Sequence, residues 1–273
     1  MTARAVCLAL LLLSPFADAP AQRDRGEFGR MRRMLGDQNE FFVPPDFKGN
    51  VPYDGRFTFA RIKYRGYSHY SGREGPGWSH DYPRAEVNLM RIMQEITTLR
   101  PFIESPLAVG GNILALDDPE LFKYPVAYLS EPGGWLPTDA EVLGLRNYLL
   151  KGGFLIIDDF DGAGMSNDWM NFQQQMQRVL PAGRIVQLEE THPIFDSFFK
   201  IDLGALESTY RGRPNYFAIF QDNDPKERII AIINYNNDVG EYWQWSGTGF
   251  SPVPLTNEAY KLGVNYLIYA LTH

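Results

Sequence analysis

The stretch of sequence that decides the fold is GGFLIIDDFDG, residues 152–162. Two glycines end a preceding helix, an uninterrupted apolar run follows, and aspartates crowd its end. A strand this apolar needs cover on both faces, as a central strand of a parallel sheet has. Such sheets bind their ligands outside the carboxyl ends of the strands. The stretch therefore predicts a parallel α/β sheet with Asp158, Asp159 and Asp161 at its ligand-binding edge.

The segments on either side continue an alternation of strands and helices. Strands are predicted at residues 57–64, 124–130 and 185–188, with helices beginning at Pro83, at Thr138 and near Trp169. Thr138 and Glu141 have the spacing of a capping box. This alternation is typical of a parallel sheet with right-handed crossovers, and hence of a three-layer α/β fold.

The C-terminal part of the chain departs from this alternation. Residues 216–221 and 228–235 predict a β-hairpin around an Asn-Asp-Pro turn, added to the parallel sheet. Thr256 is expected to cap a last helix whose apolar residues pack back on the domain.

The N-terminal residues read as an export signal. Arg4 precedes a short apolar core, and Ala19-Pro20-Ala21 is a small-x-small cleavage site. We therefore divide the chain into a signal peptide at 1–21, an extended lead-in at 22–56 and a single α/β domain at 57–273. Cys7 is the only cysteine, so cleavage would leave no thiol for a cysteine-dependent reaction, for a metal or for a disulfide.

Charge and hydropathy restrict the partners. The 273-residue chain carries a formal net charge of −7, which argues against nucleic acid. After removal of the signal, no segment is long and apolar enough to cross a bilayer. The expected location is periplasmic or extracellular. The expected partner is a small-molecule or glycan-like ligand, or an envelope protein.

Polar residues that follow the predicted strands are the candidates for a site. Carboxylates and imidazoles that converge at one edge can bind a polyol, hold a divalent cation or transfer protons. Each aspartate can equally well cap a turn or accept backbone hydrogen bonds. The catalytic candidates are Asp158, Asp159 and His192, and the ligand-binding candidates are Glu131, Asp158, Asp159, Asp161, His69, His80 and Trp78. Ser130, Asp81, Glu189 and Glu190 are expected at the same edge.

Known motifs for cofactors and nucleophiles do not occur. The spacing of His69, His80, Asp81 and His192 matches no compact metal-ligand motif, so no metal ligands are assigned, although a divalent ion stays open. No Gly-x-Ser-x-Gly turn, dinucleotide fingerprint or phosphate loop follows a strand. No cofactor is predicted.

Several short motifs, taken in order, resemble one bacterial family. They are Phe57-Thr58-Phe59-Ala60-Arg61, Gly77-Trp78-Ser79-His80-Asp81-Tyr82-Pro83, Asn88-Leu89, residues 152–160 and His192-Pro193-Ile194-Phe195. From about Phe57 to the C-terminus the chain resembles the family called domain of unknown function 4159. The resemblance implies a flavodoxin-like fold of the class I glutamine amidotransferase type, similar to trehalose-utilisation domains. Members often occur with envelope proteins of the aerotolerance type.

The resemblance does not extend to amidotransferase chemistry. In class I amidotransferases a cysteine occupies the sharp turn after the central strand and works with a histidine and a glutamate. Here that strand runs into Asp158 and Asp159, so those catalytic residues have no counterpart.

Three functions therefore stay open. The first is an exported domain without amidotransferase activity that binds a ligand or a partner in the bacterial envelope. A carbohydrate-like molecule is one candidate for the ligand. The second is a hydrolase or lyase that uses Asp158 or Asp159 with His192, with or without a divalent metal. The third is a structural interaction module that makes contact through Tyr242, Trp243 and Trp245, although these aromatic residues can also pack on their own domain.

Overall fold

The computed structural model describes residues 43–44, 46–66, 76–105, 108–109, 111–160, 167–207, 210 and 212–273. The predicted signal, His69 and Asp161 lie outside the described residues. The strands are β1 Phe59–Ile62, β2 Ile103–Ser105, β3 Ala108–Val109, β4 Gly111–Leu114, β5 Val126–Ser130, β6 Phe154–Asp158, β7 Val186–Gln187, β8 Asn215–Phe220 and β9 Ile229–Tyr235. The α-helices are α1 Arg84–Ile96, α2 Asp139–Leu150, α3 Asp168–Val179, α4 Val239–Gln244 and α5 Val253–Thr272.

Seven strands form one mostly parallel sheet in the order β4-β1-β5-β6-β9-β8-β7. The strands from β4 to β9 in this order run parallel, and β8 is antiparallel to both β9 and β7. Strand β6 lies in the middle, where Ile156 pairs with Tyr128 of β5 and with Ile232 of β9. The predicted α/β class and the central position of residues 154–158 are confirmed. Strands β8 and β9 do pair as antiparallel neighbours, but β9 belongs to the parallel part of the sheet.

Helices cover both faces of the sheet. In β6, Phe154 and Ile156 face one core, to which α1, α4 and α5 contribute, whereas Leu155 and Ile157 face the other, to which α2 and α3 contribute. All four side chains are fully buried, which explains why the strand is apolar without alternation. None of the described helices, α5 included, is long and apolar enough to span a membrane.

Of the two helix caps predicted from the sequence, one is confirmed and one is wrong. The capping box is confirmed, because the Thr138 hydroxyl accepts from Glu141 N and the Glu141 carboxylate accepts from Thr138 N. The prediction that Thr256 caps the last helix is wrong. Helix α5 begins at Val253 after Pro252, and the Thr256 hydroxyl lies within the helix, bonded to the Pro252 carbonyl. Pro254 lies in the first turn, where a proline loses no intrahelical hydrogen bond, so the helix can include it and begin before Thr256.

Candidate functional site

A residue with a left-handed backbone lies in the connection that follows each of the four central parallel strands. Asp81 after β1, Glu131 after β5, Asp159 after β6 and Asn236 after β9 all have left-handed φ values, of 64°, 44°, 69° and 57°. Residues other than glycine adopt this region at a cost, and such strain concentrates at functional sites. These turns bring three carboxylates, and Asp238 two residues after Asn236, towards a common point.

The common point is the imidazole of His80, in the loop between β1 and α1. Its Nδ1 lies 2.9 Å from Asp159 Oδ2 and 3.6 Å from Glu131 Oε1. It also lies 3.8 Å from Asp238 Oδ2 and 3.9 Å from Asp81 Oδ2. The four strands β1, β5, β6 and β9 thus each supply one carboxylate that faces a single ring nitrogen.

Arg61 positions the loop that carries His80. This arginine lies on β1, is fully buried, and forms an ion pair with Glu86 of α1. Its Nη1 donates to the carbonyls of Trp78 at 3.0 Å and His80 at 2.7 Å. A buried guanidinium is therefore used to fix backbone next to the site, because it has enough donors to serve a carboxylate and two carbonyls at once.

Burial and charge shift the pKa values of three residues of this cluster, His80, Asp81 and Asp238. Burial by itself lowers the pKa of His80, but the hydrogen bond that its ring donates to Asp159 and the negative charges of Asp81, Asp159 and Asp238 outweigh burial and raise this pKa to about 12. Burial, followed by neighbouring carboxylates, raises the pKa of Asp238 well above its ordinary value. Burial also raises the pKa of Asp81, which the charge of His80 only partly offsets. His80 is thus driven towards its protonated form, whereas Asp81 and Asp238 are driven towards their neutral forms.

Asp159 is both a turn residue and a member of the cluster. Its Oδ1 accepts a hydrogen bond from the Tyr210 hydroxyl, and its Oδ2 contacts His80. The backbone N–H groups of Asp159 and Phe160 donate to the Asn237 carbonyl, which ties the turn after β6 to the turn after β9. Asp159 is therefore held in a fixed orientation from two sides.

Asp158 lies next to the cluster but is fully occupied by hydrogen bonds. Its Oδ1 accepts from Asn234 Nδ2 at 2.8 Å and from Val239 N at 3.2 Å. Its Oδ2 accepts from the Tyr128 hydroxyl at 2.6 Å and from Gly240 N at 2.9 Å. The side chain joins β5, β9 and the start of α4 with no exposure, so its geometry is that of a structural acceptor.

His192 does not share the crevice, contrary to the expectation that it joins the aspartates. Its Nδ1 accepts from Ile194 N, which caps a short 3₁₀ turn, and its ring packs against Phe220 and Tyr269. Phe220 pairs with Ile229, the first residue of β9, so His192 lies near the amino end of the parallel strands. After β7 the chain turns at Glu189 and reverses direction, because Leu188 bonds to Tyr216 near one end of β8 and His192 packs on Phe220 at the other end. Strand direction alone does not reveal this reversal.

The remaining sequence candidates are distributed over several environments. Trp78 is 1% exposed and belongs to the core beside α2 and α3, so it presents no surface to a ligand. Glu189 and Glu190 are exposed, and Glu190 lines a separate cavity of ≈ 570 Å³ with Arg213 and Tyr216. Of the predicted ligand-binding set, the structure brings together Glu131, Asp159 and His80, with Asp158 behind them.

The aromatic stretch after β9 packs mainly inward. Trp243 is fully buried and its Nε1 donates to the Ala259 carbonyl of α5. Tyr242 is also buried, whereas Trp245 is half-buried beside Phe250 and Arg84. The packing of this stretch on its own domain is the alternative that the sequence left open.

Asp238, Arg61 and Tyr210 were missed as members or supports of the site. Asp238 could have been found, because residues 229–233 form an apolar run as uniform as that of β6, and polar residues follow it in the same way. Arg61 and Tyr210 carry no such signal, since their roles depend on contacts with residues distant in sequence.

The fold and this edge define an α/β protein with a mostly parallel sheet and an acidic crevice at the carboxyl ends of its strands. Residues 58–271 match the family described as Domain of unknown function (DUF4159), so the chain belongs to that family. The resemblance seen in the sequence motifs is thereby confirmed. A comparison with curated proteins finds no match.

Proposed function

We propose that this protein is an exported domain that binds a ligand in the acidic crevice, without amidotransferase chemistry. The observation that carries the proposal is the convergence of Asp81, Glu131, Asp159 and Asp238 on His80 at the ligand-binding edge of the sheet. Binding sites in sheets of this kind lie at that edge. Strained turns and buried charge are expensive to maintain, which is typical of a site and not of a solvated surface.

The arrangement also suggests how the fold relates to class I amidotransferases. Asp159 follows the central strand in a left-handed turn, which is where the resemblance places a catalytic cysteine. The protein then has a flavodoxin-like fold of the amidotransferase type in which the turn after the central strand carries a carboxylate. Because Cys7 is the only cysteine and lies in the predicted signal, the crevice functions without a thiol.

The chemistry of the crevice favours a ligand rich in hydroxyl groups or positive charge. Carboxylates accept hydrogen bonds from hydroxyls and attract cations. The side chains of His80 and Glu131 are 17% and 12% exposed, whereas Asp81, Asp159 and Asp238 are nearly inaccessible, so a ligand would meet His80 and Glu131 first. A carbohydrate-like molecule of the bacterial envelope fits this description.

Ligand-observed NMR tests the proposal with a panel of mono- and disaccharides, polyols and soluble cell-wall glycan fragments. We expect saturation transfer to at least one compound with the wild-type protein and with Glu190→Gln, an acidic residue outside the cluster. Asp159→Asn and Glu131→Gln should abolish it. Absence of transfer to every compound, or transfer that the two crevice substitutions leave unchanged, would overturn the proposal.

The second candidate function is a hydrolase or lyase that uses an Asp–His pair, with His80 in place of His192. The hydrogen bond between His80 and Asp159 favours it. However, with its pKa raised to about 12, His80 keeps its proton at neutral pH and cannot accept one from a substrate. A hydrolase and lyase activity screen with and without a chelator tests this alternative. Activity that His80→Gln abolishes would support catalysis over binding.

The third candidate, an interaction module for an envelope protein, has less support from the contacts. Trp243 holds α4 against α5 and is not available to a partner. Trp245 is the accessible member of the stretch, and it can be replaced without opening the core. Recovery of the same envelope proteins by wild-type protein and Trp245→Ala would count against this surface.

Export is tested separately from binding. The signal at residues 1–21 predicts that the mature chain begins after Ala21 and is found in the periplasm or outside the cell. Fractionation of the producing bacterium and N-terminal sequencing of the recovered protein check both points. An intact N-terminus in the cytoplasmic fraction would contradict export.

A further inference from the structure

Asp81 is a buried carboxylate whose two oxygens have no hydrogen-bond partner among the described residues. Its side chain is inaccessible to solvent, and its Oδ2 points towards His80 Nδ1 at 3.9 Å. Burial of an unpaired carboxylate costs several kcal/mol or more unless a positive charge compensates it. Arg61, the nearby guanidinium, is already paired with Glu86 and with two backbone carbonyls. A further cation bound in the crevice would compensate the buried, unpaired carboxylate of Asp81.

The donor atoms around His80 form two groups of three that share this histidine, and each group has the spacing of ligands to one ion. The atoms of His80, Asp81 and Asp238, and those of His80, Glu131 and Asp159, lie within 4.8 Å of one another. Atoms bound at about 2.0–2.2 Å to one tetrahedral or octahedral ion lie roughly 2.8–4.4 Å apart. The four carboxylate oxygens lie between 2.9 and 3.9 Å from His80 Nδ1, within that range.

We propose that the crevice binds one divalent transition-metal ion through His80 Nδ1 and the carboxylates of Asp81 and Asp238, with Glu131 and Asp159 completing the shell. The inference rests on the proposed function, because it assigns a ligand to the same crevice. The ion takes the place of the proton on Nδ1, which leaves to solvent while Nε2 keeps its hydrogen. Two positive charges then replace one among four carboxylates.

The donor set indicates the class of ion. Mg²⁺ and Ca²⁺ favour all-oxygen shells, whereas an imidazole among carboxylates suits Zn²⁺ or Mn²⁺. The ligands come from four connections at one edge of the sheet: His80 and Asp81 from the loop before α1, and Glu131, Asp159 and Asp238 from the segments after β5, β6 and β9. Asp238 Oδ1 accepts a hydrogen bond from Glu241 N, and Oδ2 of the same carboxylate faces His80 Nδ1.

The glycine beside Asp81 shows how tightly the protein fits this carboxylate. A Cβ built at Gly240 would lie 2.4 Å from Asp81 Oδ2 and 2.7 Å from the Tyr128 hydroxyl. Any side chain at position 240 would thus displace the carboxylate. The Asp81 carboxylate can occupy this space because residue 240 is glycine.

Isothermal titration of the chelator-treated, full-length protein with Zn²⁺, Mn²⁺ and Ca²⁺ tests the proposal, with metal content measured after dialysis. We expect one Zn²⁺ or Mn²⁺ per chain and much weaker Ca²⁺ binding. Asp81→Asn and Asp238→Asn should each weaken binding by at least about tenfold. Asparagine keeps the shape of both residues, and at position 238 it keeps the capping oxygen. The matched control is Glu190→Gln, which should bind like wild type.

Two results would overturn the metal site: no stoichiometric binding of Zn²⁺ or Mn²⁺, or Asp81→Asn binding as tightly as wild type. Near-UV circular dichroism of the metal-free variants shows whether they are folded, and the metal-induced rise in melting temperature gives a second readout, since a ligand of the native state stabilises it. The NMR panel is then repeated on metal-free and metal-loaded protein. Glycan binding without metal binding would refute only the metal site, and metal binding without any organic ligand would refute only the glycan proposal.

Discussion

His80 Nδ1 lies 2.9 Å from Asp159 Oδ2, so two residues 79 positions apart meet at the carboxyl edge of the sheet. The contact exists because β1 and β6 are parallel and have only β5 between them, which brings the loop after β1 and the turn after β6 to the same side. The two aspartates at the end of β6 differ in direction, because only Asp159 has a left-handed backbone. Asp159 turns into the crevice, whereas Asp158 points back into the hydrogen-bond network of the core.

Replacement of Asp158 by asparagine should destabilise the protein without acting through the ligand. An amide at this position offers a donor where Tyr128 and Gly240 also donate, so at least one buried partner loses its acceptor. We expect the free energy of unfolding to fall by about 2–3 kcal/mol in urea denaturation. Asp139→Asn, at a fully exposed aspartate, is the control and should change it by less than about 0.5 kcal/mol. Equal free energies of unfolding for the two variants would contradict the structural role of Asp158.

Replacement of Arg61 by methionine should have a larger effect. It leaves Glu86 buried without its partner and removes the donors that fix the carbonyls of Trp78 and His80. We expect a loss of about 3–5 kcal/mol in the free energy of unfolding. The double variant Arg61→Met with Glu86→Leu should recover at least about 1 kcal/mol of this, because no unpaired charge is left. A double variant as unstable as the single one would show that backbone support, not charge pairing, dominates.

Replacement of Gly240 by alanine tests the close fit around Asp81. Alanine favours helices over glycine by about 1 kcal/mol, so without a clash this substitution near the start of α4 would stabilise the protein. The new Cβ would instead meet Asp81 Oδ2 and the Tyr128 hydroxyl, and we expect a loss of about 1–3 kcal/mol. The control is Gly111→Ala, whose Cβ would meet Glu86 at an ordinary 3.5 Å. Thermal unfolding compares the two, and a rise in melting temperature for Gly240→Ala would contradict the fit.

The two tryptophans near α4 should respond differently to truncation. Trp243→Ala removes a fully buried ring that donates to Ala259, and we expect about 3–5 kcal/mol of destabilisation. Trp245→Ala removes a half-buried ring and should cost less than about 1.5 kcal/mol. Urea denaturation of both variants gives the comparison. A larger loss for Trp245→Ala would mean that the described packing of this stretch is incorrect.

His192 should make stability depend on pH in the weakly acidic range. Burial, together with the charge of His273, lowers the pKa of His192 below its ordinary value of 6.5, so the folded state binds the proton less readily than the unfolded state. The stability that His192 contributes is therefore complete above pH 6.5 and decreases as the pH falls through its folded pKa. Protonation also removes the Nδ1 acceptor for Ile194 N.

His192→Asn keeps an acceptor at the cap but does not titrate. The difference in unfolding free energy between wild type and this variant should therefore be constant above pH 6.5 and shift in favour of the variant as the pH falls below 6.5. Denaturation at half-unit pH intervals measures it. A difference independent of pH would show that His192 has the same pKa in both states.

The local sequence determined the elements that depend on neighbouring residues. The run of residues 154–157 predicts a buried strand because every one of its side chains is apolar, and the capping box at Thr138 is complete within four residues. The predicted edge for Asp158 and Asp159 also follows from strand direction alone. Strand β4 was not predicted. It has only four residues and follows a segment rich in glycine and proline, so its hydrophobic pattern is too short to indicate a strand.

The tertiary structure alone decided which polar residues form the site. Asp158 and Asp159 are indistinguishable in sequence, and only the left-handed turn at Asp159 sends one carboxylate into the crevice while the partners from β5, β9 and α4 hold the other. His80 and His192 are both histidines beside loops, but the chain reversal after β7 takes His192 to the opposite end of the sheet. Local patterns specify which residues are buried and where a strand ends. Which distant groups share one point depends on strand order and on the course of the connections, and these are set by packing over the whole domain.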